Sequence, residues 1–246
     1  MLSAPPATAI VTGASDRIGR AVALHLAKRG YRVAITYHTN REGALATQKL
    51  LEQYTPCTVL CHDLATLNNP GDILEQAHAA TGAPVHCVIY AASFFEKSTL
   101  KAIDTDHMLQ NFWVHLFSPI LMAKALHLHM THADVQNGNF VVFCDQRVYQ
   151  RTTTRAAYEL SKKSLAEFTR MAAKTFAPTL RCNSISPGPI LQATTETDAE
   201  FRTLIEKNVP LKRQGSVEHI LQALDFLLQC DYVTGIDIPV DGGEHL

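Results

Sequence analysis

Residues 11–20 read VTGASDRIGR, and the interpretation of the whole chain starts from this stretch. Residues 7–12, ATAIVT, form a short apolar run with the β-branched residues that suit a buried strand. A segment with helical periodicity follows at 18–29. A strand that passes through a glycine turn into a helix is typical of a phosphate-binding βαβ unit. Gly13 and Gly19 fit this turn, but Arg17 stands where a further glycine is expected.

The same alternation of strand and helix continues to the end of the chain. Further strands are predicted at 32–37, 57–60, 85–90, 139–144, 180–185 and 235–240, with helices at 41–54, 70–81, 103–132, 155–176, 199–207 and 217–229. We therefore predict an α/β fold: a single Rossmann-like domain over residues 1–246. Its doubly wound parallel sheet has about seven strands, with helices on both faces. Ligands are expected beyond the carboxyl ends of the strands.

Composition excludes several classes of function. With 246 residues, 18% of them charged and a net charge of -1, the chain offers no basic surface for nucleic acid or an anionic membrane. It contains no apolar run of membrane-spanning length and no basic start followed by an apolar segment, so we expect a cytoplasmic protein. In the histidine-rich stretch HLHMTH, His127 and His129 would point to opposite sides of a helix, so no metal site is predicted.

The end of the second predicted strand indicates the cofactor. It reads TYHTNR, with Tyr37, His38, Thr39 and Asn40 and no acidic residue before Glu42. A carboxylate here would hold the ribose 2′-hydroxyl of NADH, whereas these side chains can donate to a 2′-phosphate. The pattern favours NADPH, although a polar loop without this role would read the same way.

Tyr158 and Lys162 are candidate catalytic residues. They are four residues apart on a predicted helix and so share one face. We expect the nearby ammonium to favour the phenolate and thus to lower the pKa of Tyr158. Asp145 ends the fifth predicted strand and is expected to point into the same crevice.

The sequence resembles the short-chain dehydrogenase/reductase family over nearly its whole length. The resemblance rests on TGASDRIG at 12–19, HDL at 62–64, YAAS at 90–93, SPGPI at 186–190 and VTGIDIPVDGG at 233–243, together with Tyr158 and Lys162. It implies a nicotinamide cofactor and a homotetramer. The cofactor-binding residues that it implies are Gly13, Arg17, Ile18, Gly19, Tyr37, His38, Thr39, Asn40, Asp63, Leu64, Ala91, Ala92, Ser93, Tyr158, Lys162, Pro187, Gly188 and Ile190.

Departures from the general family pattern indicate a branch. Arg17 replaces a glycine, Ser93 a glycine, Asp145 the usual serine and His115 the usual asparagine. The first three together resemble the pteridine reductases and the bacterial dihydromonapterin reductases. That resemblance implies NADPH and a substrate site made of Arg17, Ser93, Phe95, Asp145, Tyr158 and Pro189, with Asp145, Tyr158, Lys162 and His115 as the catalytic set.

The implied reaction is hydride transfer from NADPH to a C=N bond of a dihydropterin. Two alternatives stay open: a reductase of 3-oxoacyl thioesters or small carbonyls, and a non-catalytic NADPH-binding sensor. Either Asp145 or Tyr158 could deliver the proton, and His115 is either a proton relay or an ordinary helix residue, with Asn111 one turn earlier. Phe94 is the alternative to Phe95 for stacking on the pterin. Residues 190–207 are expected to form a substrate lid.

Overall fold

Seven parallel strands form one sheet in the order β3-β2-β1-β4-β5-β6-β7. The computed structural model describes residues 7–66, 69–151, 154–193 and 196–246. The strands are β1 (Thr8–Thr12), β2 (Arg32–Tyr37), β3 (Cys57–Cys61), β4 (Val85–Tyr90), β5 (Gly138–Phe143), β6 (Leu180–Pro187) and β7 (Asp237–Val240). The predicted α/β class, strand number and parallel pairing are confirmed.

The helices follow the strands as the sequence predicts. They are α1 (Arg17–Lys28), α2 (Arg41–Leu51), α3 (Gly71–Thr81), α4 (Thr105–Phe112), α5 (Ser118–His132), α6 (Ala156–Phe176), α7 (Asp198–Asn208) and α8 (Val217–Gln229). The predicted long helix at 103–132 is divided, because a π-helical segment, Trp113–Phe117, joins α4 to α5. A short 3₁₀ turn, Gln146–Tyr149, follows β5.

Alternating side chains of the buried strands supply two apolar cores, one on each face of the sheet. From β1, Ile10 packs into the core that includes Leu126 of α5, whereas Val11 packs into the core with Leu26 of α1 and Leu224 of α8. All five side chains are fully buried. Helices therefore cover both faces, and the edge formed by the carboxyl ends of the strands remains available for a site.

The order in which strands are added to the sheet reverses at β1, which lies between β2 and β4. Such a switch point opens a crevice at the carboxyl ends of the strands. Here the backbone N–H groups of Ala91 and Ala92 both donate to Oγ1 of Thr12 at 3.0 Å, which fixes the two sides of the crevice to each other. In the described ranges, no helix combines the length and the apolar composition needed to cross a membrane.

Candidate active site

The turn between β1 and α1 brings backbone segments very close together. Gly13 has a φ of +65°, and a Cβ atom added there would lie 2.7 Å from Cα of Ala92. A Cβ on Gly19 would lie 2.3 Å from the carbonyl oxygen of Gly13. The side chain of Asp16 makes no capping hydrogen bond to α1. The first-turn N–H groups of α1 thus lie beside a cradle that only glycine permits, which fits a pyrophosphate.

Arg17 has a backbone conformation that favours glycine. Its φ is +49°, a left-handed value that costs a residue with a side chain about 1–2 kcal/mol. Its Nη2 atom donates to the carbonyl oxygens of Leu191 at 3.2 Å and Gln192 at 2.9 Å. The guanidinium therefore connects the start of α1 to the segment that follows β6.

The predicted 2′-phosphate loop lies at the end of β2, where His38 and Thr39 are exposed. Asn40 caps α2, because its Oδ1 accepts from the N–H of Gly43 at 2.9 Å. Nδ1 of His38 lies 3.8 Å from Oδ1 of Asp63, the carboxylate that follows β3. The loop thus presents an imidazole and a hydroxyl to solvent while its asparagine holds the next helix.

Two predicted cofactor residues turn their side chains away from the crevice. Leu64 is 6% exposed and Ile190 is 2% exposed, and the two pack into opposite apolar cores. Only the backbone atoms of these two residues could therefore contact a cofactor.

A cleft of about 410 Å³ lies at the carboxyl edge of the sheet. Its wall combines segments at or after the ends of β1, β4, β5, β6 and β7, which are far apart in the chain, with residues of α6 and α7. The predicted site residues in its wall are Arg17, Ile18, Ala91, Ser93, Phe95, Asp145, Tyr158, Lys162, Pro187, Gly188 and Pro189. The remaining ones lie around the β1–α1 turn, at the ends of β2 and β3, after β4 (Ala92), after β6 (Ile190) or, for His115, behind the cleft wall.

Tyr158 and Asp145 form a direct pair at the centre of this cleft. The Tyr158 hydroxyl donates to Oδ2 of Asp145 at 2.8 Å. Oδ1 of the same carboxylate accepts from the backbone N–H of Arg147 at 2.9 Å. Burial, together with the adjacent negative charge of Asp145, raises the pKa of Tyr158 well above its usual value. The proton therefore stays on the phenol at neutral pH.

The expectation that Lys162 lowers the pKa of Tyr158 is wrong in this structure. Nζ of Lys162 donates to the carbonyl oxygen of Phe143 at 2.7 Å and lies 5.7 Å from the centre of the Tyr158 ring. Burial lowers the pKa of Lys162 from its usual value. The lysine is directed at the end of β5, so burial and Asp145 control the tyrosine instead.

His115 is fully buried in the π-helical segment, and its ring bonds in two directions. Nδ1 lies 2.9 Å from Oγ of Ser161, and Ser161 gives its own hydrogen to the carbonyl oxygen of Tyr158 at 2.8 Å. A hydroxyl has one hydrogen to donate, so Nδ1 of His115 must carry a proton and donate it to Ser161. This assignment fixes the tautomer of the ring.

The other ring nitrogen supports the loop after β4. Nε2 of His115 accepts from the N–H of Phe94 at 3.4 Å and lies 3.0 Å from Oγ of Ser93. Burial, aided by the charge of Lys162, lowers the pKa of His115 well below its usual value, so the ring is neutral. His115 thus holds the backbone that presents Ser93 and Phe94, and its ring also packs edge-to-face with the ring of Tyr158, with centroids 5.3 Å apart.

The two candidate aromatic residues have different surroundings, although both line the cleft. The ring of Phe94 stacks on His115 with centroids 5.0 Å apart. The rings of Phe95 and Tyr158 are nearly perpendicular, with centroids 4.9 Å apart. The guanidinium of Arg155 lies 3.5 Å from the centre of the Phe95 ring. Of the two phenylalanines, Phe95 is therefore the one whose ring contacts Tyr158. The Asn111 amide donates to the carbonyl oxygen of His107 at 2.9 Å, within its own helix.

Sequence reasoning missed three charged residues of the cleft wall: Arg147, Glu196 and Glu244. Arg147 follows Asp145 by two residues, a spacing that could have flagged it. Glu244 follows two glycines in the tail that carries the family resemblance, and no local pattern marks it as part of the site. The described parts of the predicted lid, residues 190–193 and 196–207, contribute Leu191, Ala193, Glu196, Phe201 and Leu204 to the wall, and residues 194 and 195 lie outside the described residues.

The part of the chain that the structure describes contains no cluster of metal-binding side chains. No three His, Cys, Asp or Glu side chains there are grouped so that they could hold a metal ion. His129 instead accepts from the N–H of Val85 through Nε2 at 3.1 Å.

Comparisons with known proteins agree with this geometry. A family model described as enoyl-(acyl carrier protein) reductase matches residues 13–245. A dihydromonapterin reductase from Shigella boydii is 26% identical over 100% of both chains. A 3-oxoacyl-[acyl-carrier-protein] reductase from Bos taurus is 33% identical over 96% of this chain and 97% of its own. The crystal structure of FolM alternative dihydrofolate reductase 1 from Brucella suis, in complex with NADP, is 28% identical, with a TM-score of 0.90 over 97% of this chain and 95% of that one.

Proposed function

Because this chain belongs to the short-chain dehydrogenase/reductase family of oxidoreductases, we propose that it is an NADPH-dependent pteridine reductase. The proposed reaction is hydride transfer to a C=N bond of a dihydropterin, such as dihydromonapterin, dihydrobiopterin or a dihydrofolate-like compound, giving the tetrahydropterin. The observation that carries the proposal is the 2.8 Å hydrogen bond from Tyr158 to Asp145, in the same cleft as Arg17 and Phe95. A dihydromonapterin reductase and an NADP-bound FolM among the similar proteins support it.

The residues of the crevice fit NADPH. The glycine cradle and the uncapped N-terminus of α1 would hold the pyrophosphate, and His38 and Thr39 would meet the 2′-phosphate. Lys162, in the cleft wall, would hold the nicotinamide ribose, as the family resemblance implies. When bound, NADPH supplies the hydride.

The cleft wall also suits a flat ring with polar edges. Phe95 offers an aromatic face, and its contact with Arg155 holds the ring in place. Stacking of this kind stabilises a complex by about 0.5–1.5 kcal/mol beyond the burial of area. The planar guanidinium of Arg17 can donate to a ring oxygen or nitrogen, and Oγ of Ser93 can accept from a ring N–H.

Proton delivery is assigned to the Tyr158–Asp145 pair rather than to one member. The phenol proton points at Oδ2 of Asp145, so the two oxygens share one transferable proton. Lys162 keeps positive charge close to this pair, although its ammonium is directed at Phe143. The chain thus supplies a buried proton source beside the stacking face.

The direct test follows NADPH oxidation with a panel of dihydropterins, 3-oxoacyl thioesters and simple ketones. We expect turnover with at least one dihydropterin and a loss of about 10²–10⁴-fold in Tyr158→Phe, the usual contribution of a positioned acid. Tyr232→Phe is the matched control, because Tyr232 is 99% exposed. Oxidation with ketones or thioesters and with no dihydropterin would refute the proposal.

A second candidate function is reduction of a 3-oxoacyl thioester. It is favoured by the 33% identity to the Bos taurus reductase, which exceeds the 26% identity to the dihydromonapterin reductase. The same panel separates the two, since only this function gives turnover with the thioester alone. Binding of NADPH with no turnover on any substrate would instead favour a sensor.

A further inference from the structure

Glu244 is a buried acid that the proposed reaction leaves without a role. Its side chain lines the cleft, and the residue is only 7% exposed. Among the residues described by the structure, no hydrogen bond or ion pair involves its carboxylate, and only its backbone oxygen is engaged, by Nε2 of Gln150 at 2.8 Å. Its oxygens are not among the fully buried side-chain atoms that lack a partner, so they are accessible from the cleft. The carboxylate is therefore free to bind a ligand.

The position of Glu244 is fixed by the backbone on both sides. The residue follows Gly242 and Gly243, whose φ values are +66° and +89°. Its Oε2 atom would lie 3.2 Å from a Cβ added to Gly188, so the carboxylate rests against the chain just after β6. This placement puts a fixed acceptor in the cleft wall.

The charges around Glu244 do not neutralise it. Nη1 of Arg147 lies 3.4 Å from each carboxylate oxygen of Asp145, so Asp145 balances the positive charge of this arginine. Glu196 lines the same cleft. Asp241, behind the wall, lies 2.7 Å from Nδ1 of His245. The β7 end of the cleft is consequently negative when Glu244 and Glu196 are ionised.

The surroundings also set the ionisation of Glu244. Burial raises its pKa to about 7, Arg147 opposes the shift, and the charges of Asp145, Asp241 and Glu196 add to it. Near neutral pH the residue is therefore present both as acid and as carboxylate. Both forms bond to hydroxyl groups, but only the carboxylate repels an anion.

Sheet geometry indicates which part of a pterin would reach this end. β1, which leads into Arg17, and β7, which leads into Glu244, are four strands apart, but the Arg17 guanidinium and the Glu244 carboxylate both lie beside the segment that follows β6. Asp145 follows β5, between them. A pterin whose reacting bond meets the Tyr158–Asp145 pair would have Glu244 close to that pair, on the side where β6 ends, and its side chain could reach the carboxylate there.

We propose that Glu244 is a specificity-determining residue, which accepts hydrogen bonds from an uncharged, hydroxylated side chain and disfavours a pterin with an anionic tail. This inference rests on the proposed pterin function. It places the choice between a hydroxyalkyl pterin and a folate-like compound at the β7 end of the cleft.

The test measures binding by the quenching of protein fluorescence at pH 8, in the presence of NADP⁺. Monapterin serves as the neutral probe and folate, with two tail carboxylates, as the anionic one. We expect the ratio of the two affinities to shift by about tenfold toward folate in Glu244→Gln, equivalent to one pKa unit of interaction. The kcat/KM ratio for the dihydro forms should shift in the same direction. Glu218→Gln, on the exposed start of α8, is the matched control and should leave both ratios unchanged.

Glu244→Asp keeps the charge and provides a second variant if the glutamine form folds poorly. It should retain the discrimination against folate. Unchanged ratios in Glu244→Gln, with dihydropterin turnover intact, would overturn this inference alone. A wild-type protein that neither binds nor reduces any pterin would overturn the proposed function as well.

Discussion

Arg17 and Gln192 are joined by a 2.9 Å hydrogen bond from Nη2 of the arginine to the backbone oxygen of Gln192. The bond connects the first helix to the segment that continues into the cleft wall. The substitution that weakens the glycine fingerprint therefore adds a contact between the cofactor side and the substrate side of the crevice.

Replacing Arg17 separates its two roles. Arg17→Gly removes the guanidinium and relieves the left-handed strain, so we expect unchanged or higher thermal stability. The kcat/KM for a dihydropterin should fall about 10–100-fold, the size expected for a lost charged hydrogen bond. The affinity for NADPH, measured by fluorescence titration, should change much less. Equal losses for cofactor and pterin, or unchanged kinetics, would contradict a substrate role.

Replacing His115 tests positioning against proton relay. The ring is neutral, its Nε2 atom bonds to Ser93 and Phe94, and a phenyl ring can keep its packing against Tyr158, so we expect His115→Phe to raise KM for the pterin more than it lowers kcat. The wild-type pH profile between 5.5 and 7.5 should contain no step that this substitution removes, because burial lowers the pKa of His115. His115→Asn should recover part of the loss by bonding to the same loop. A kcat effect with an altered pH profile would instead indicate a relay.

Glu244 should make folding stability depend on pH. Its pKa is about 7 in the folded protein and near the usual 4.5 in the unfolded chain, so between these values only the folded state holds the proton. Stability from this residue is present below pH 4.5 and is lost as the pH rises through 7, by about 3 kcal/mol at most. The difference in Tm between Glu244→Gln and wild type should therefore grow from pH 5 to pH 8. A constant difference would refute the shifted ionisation.

The homotetramer implied by the family resemblance remains a prediction. Leu160 and Met171 are 43% and 63% exposed and lie eleven residues apart on α6, about three turns and thus on one face. Light scattering after size exclusion should give about four times the 27.1 kDa chain mass. Met171→Asp should lower this mass, whereas Tyr232→Asp, at a fully exposed site elsewhere, should not. A wild-type monomer at micromolar concentration would contradict the prediction.

The sequence alone predicts those features that follow from the order of strands and helices along the chain. Strand ends in a parallel sheet meet at one edge, so Arg17, Asp145 and Tyr158 could be placed in one crevice from their positions alone. The role of Glu244 depends on how the tail folds over Gly188, a contact between distant segments with no local pattern. The effect of Lys162 on Tyr158 was predicted wrongly, because helix spacing does not show where a flexible ammonium finds its acceptor.

The π-helical segment between α4 and α5 sets how these two helices are rotated relative to each other. A wider turn of this kind accommodates an extra residue, and one residue corresponds to about 100° of rotation in an α-helix. The continuous helical segment 105–132 can therefore pack α4 against α6 and α5 against α3. Loss of one residue between 113 and 117 would therefore rotate α4 relative to α5 and move His115 away from its bonds to Ser161 and the loop after β4.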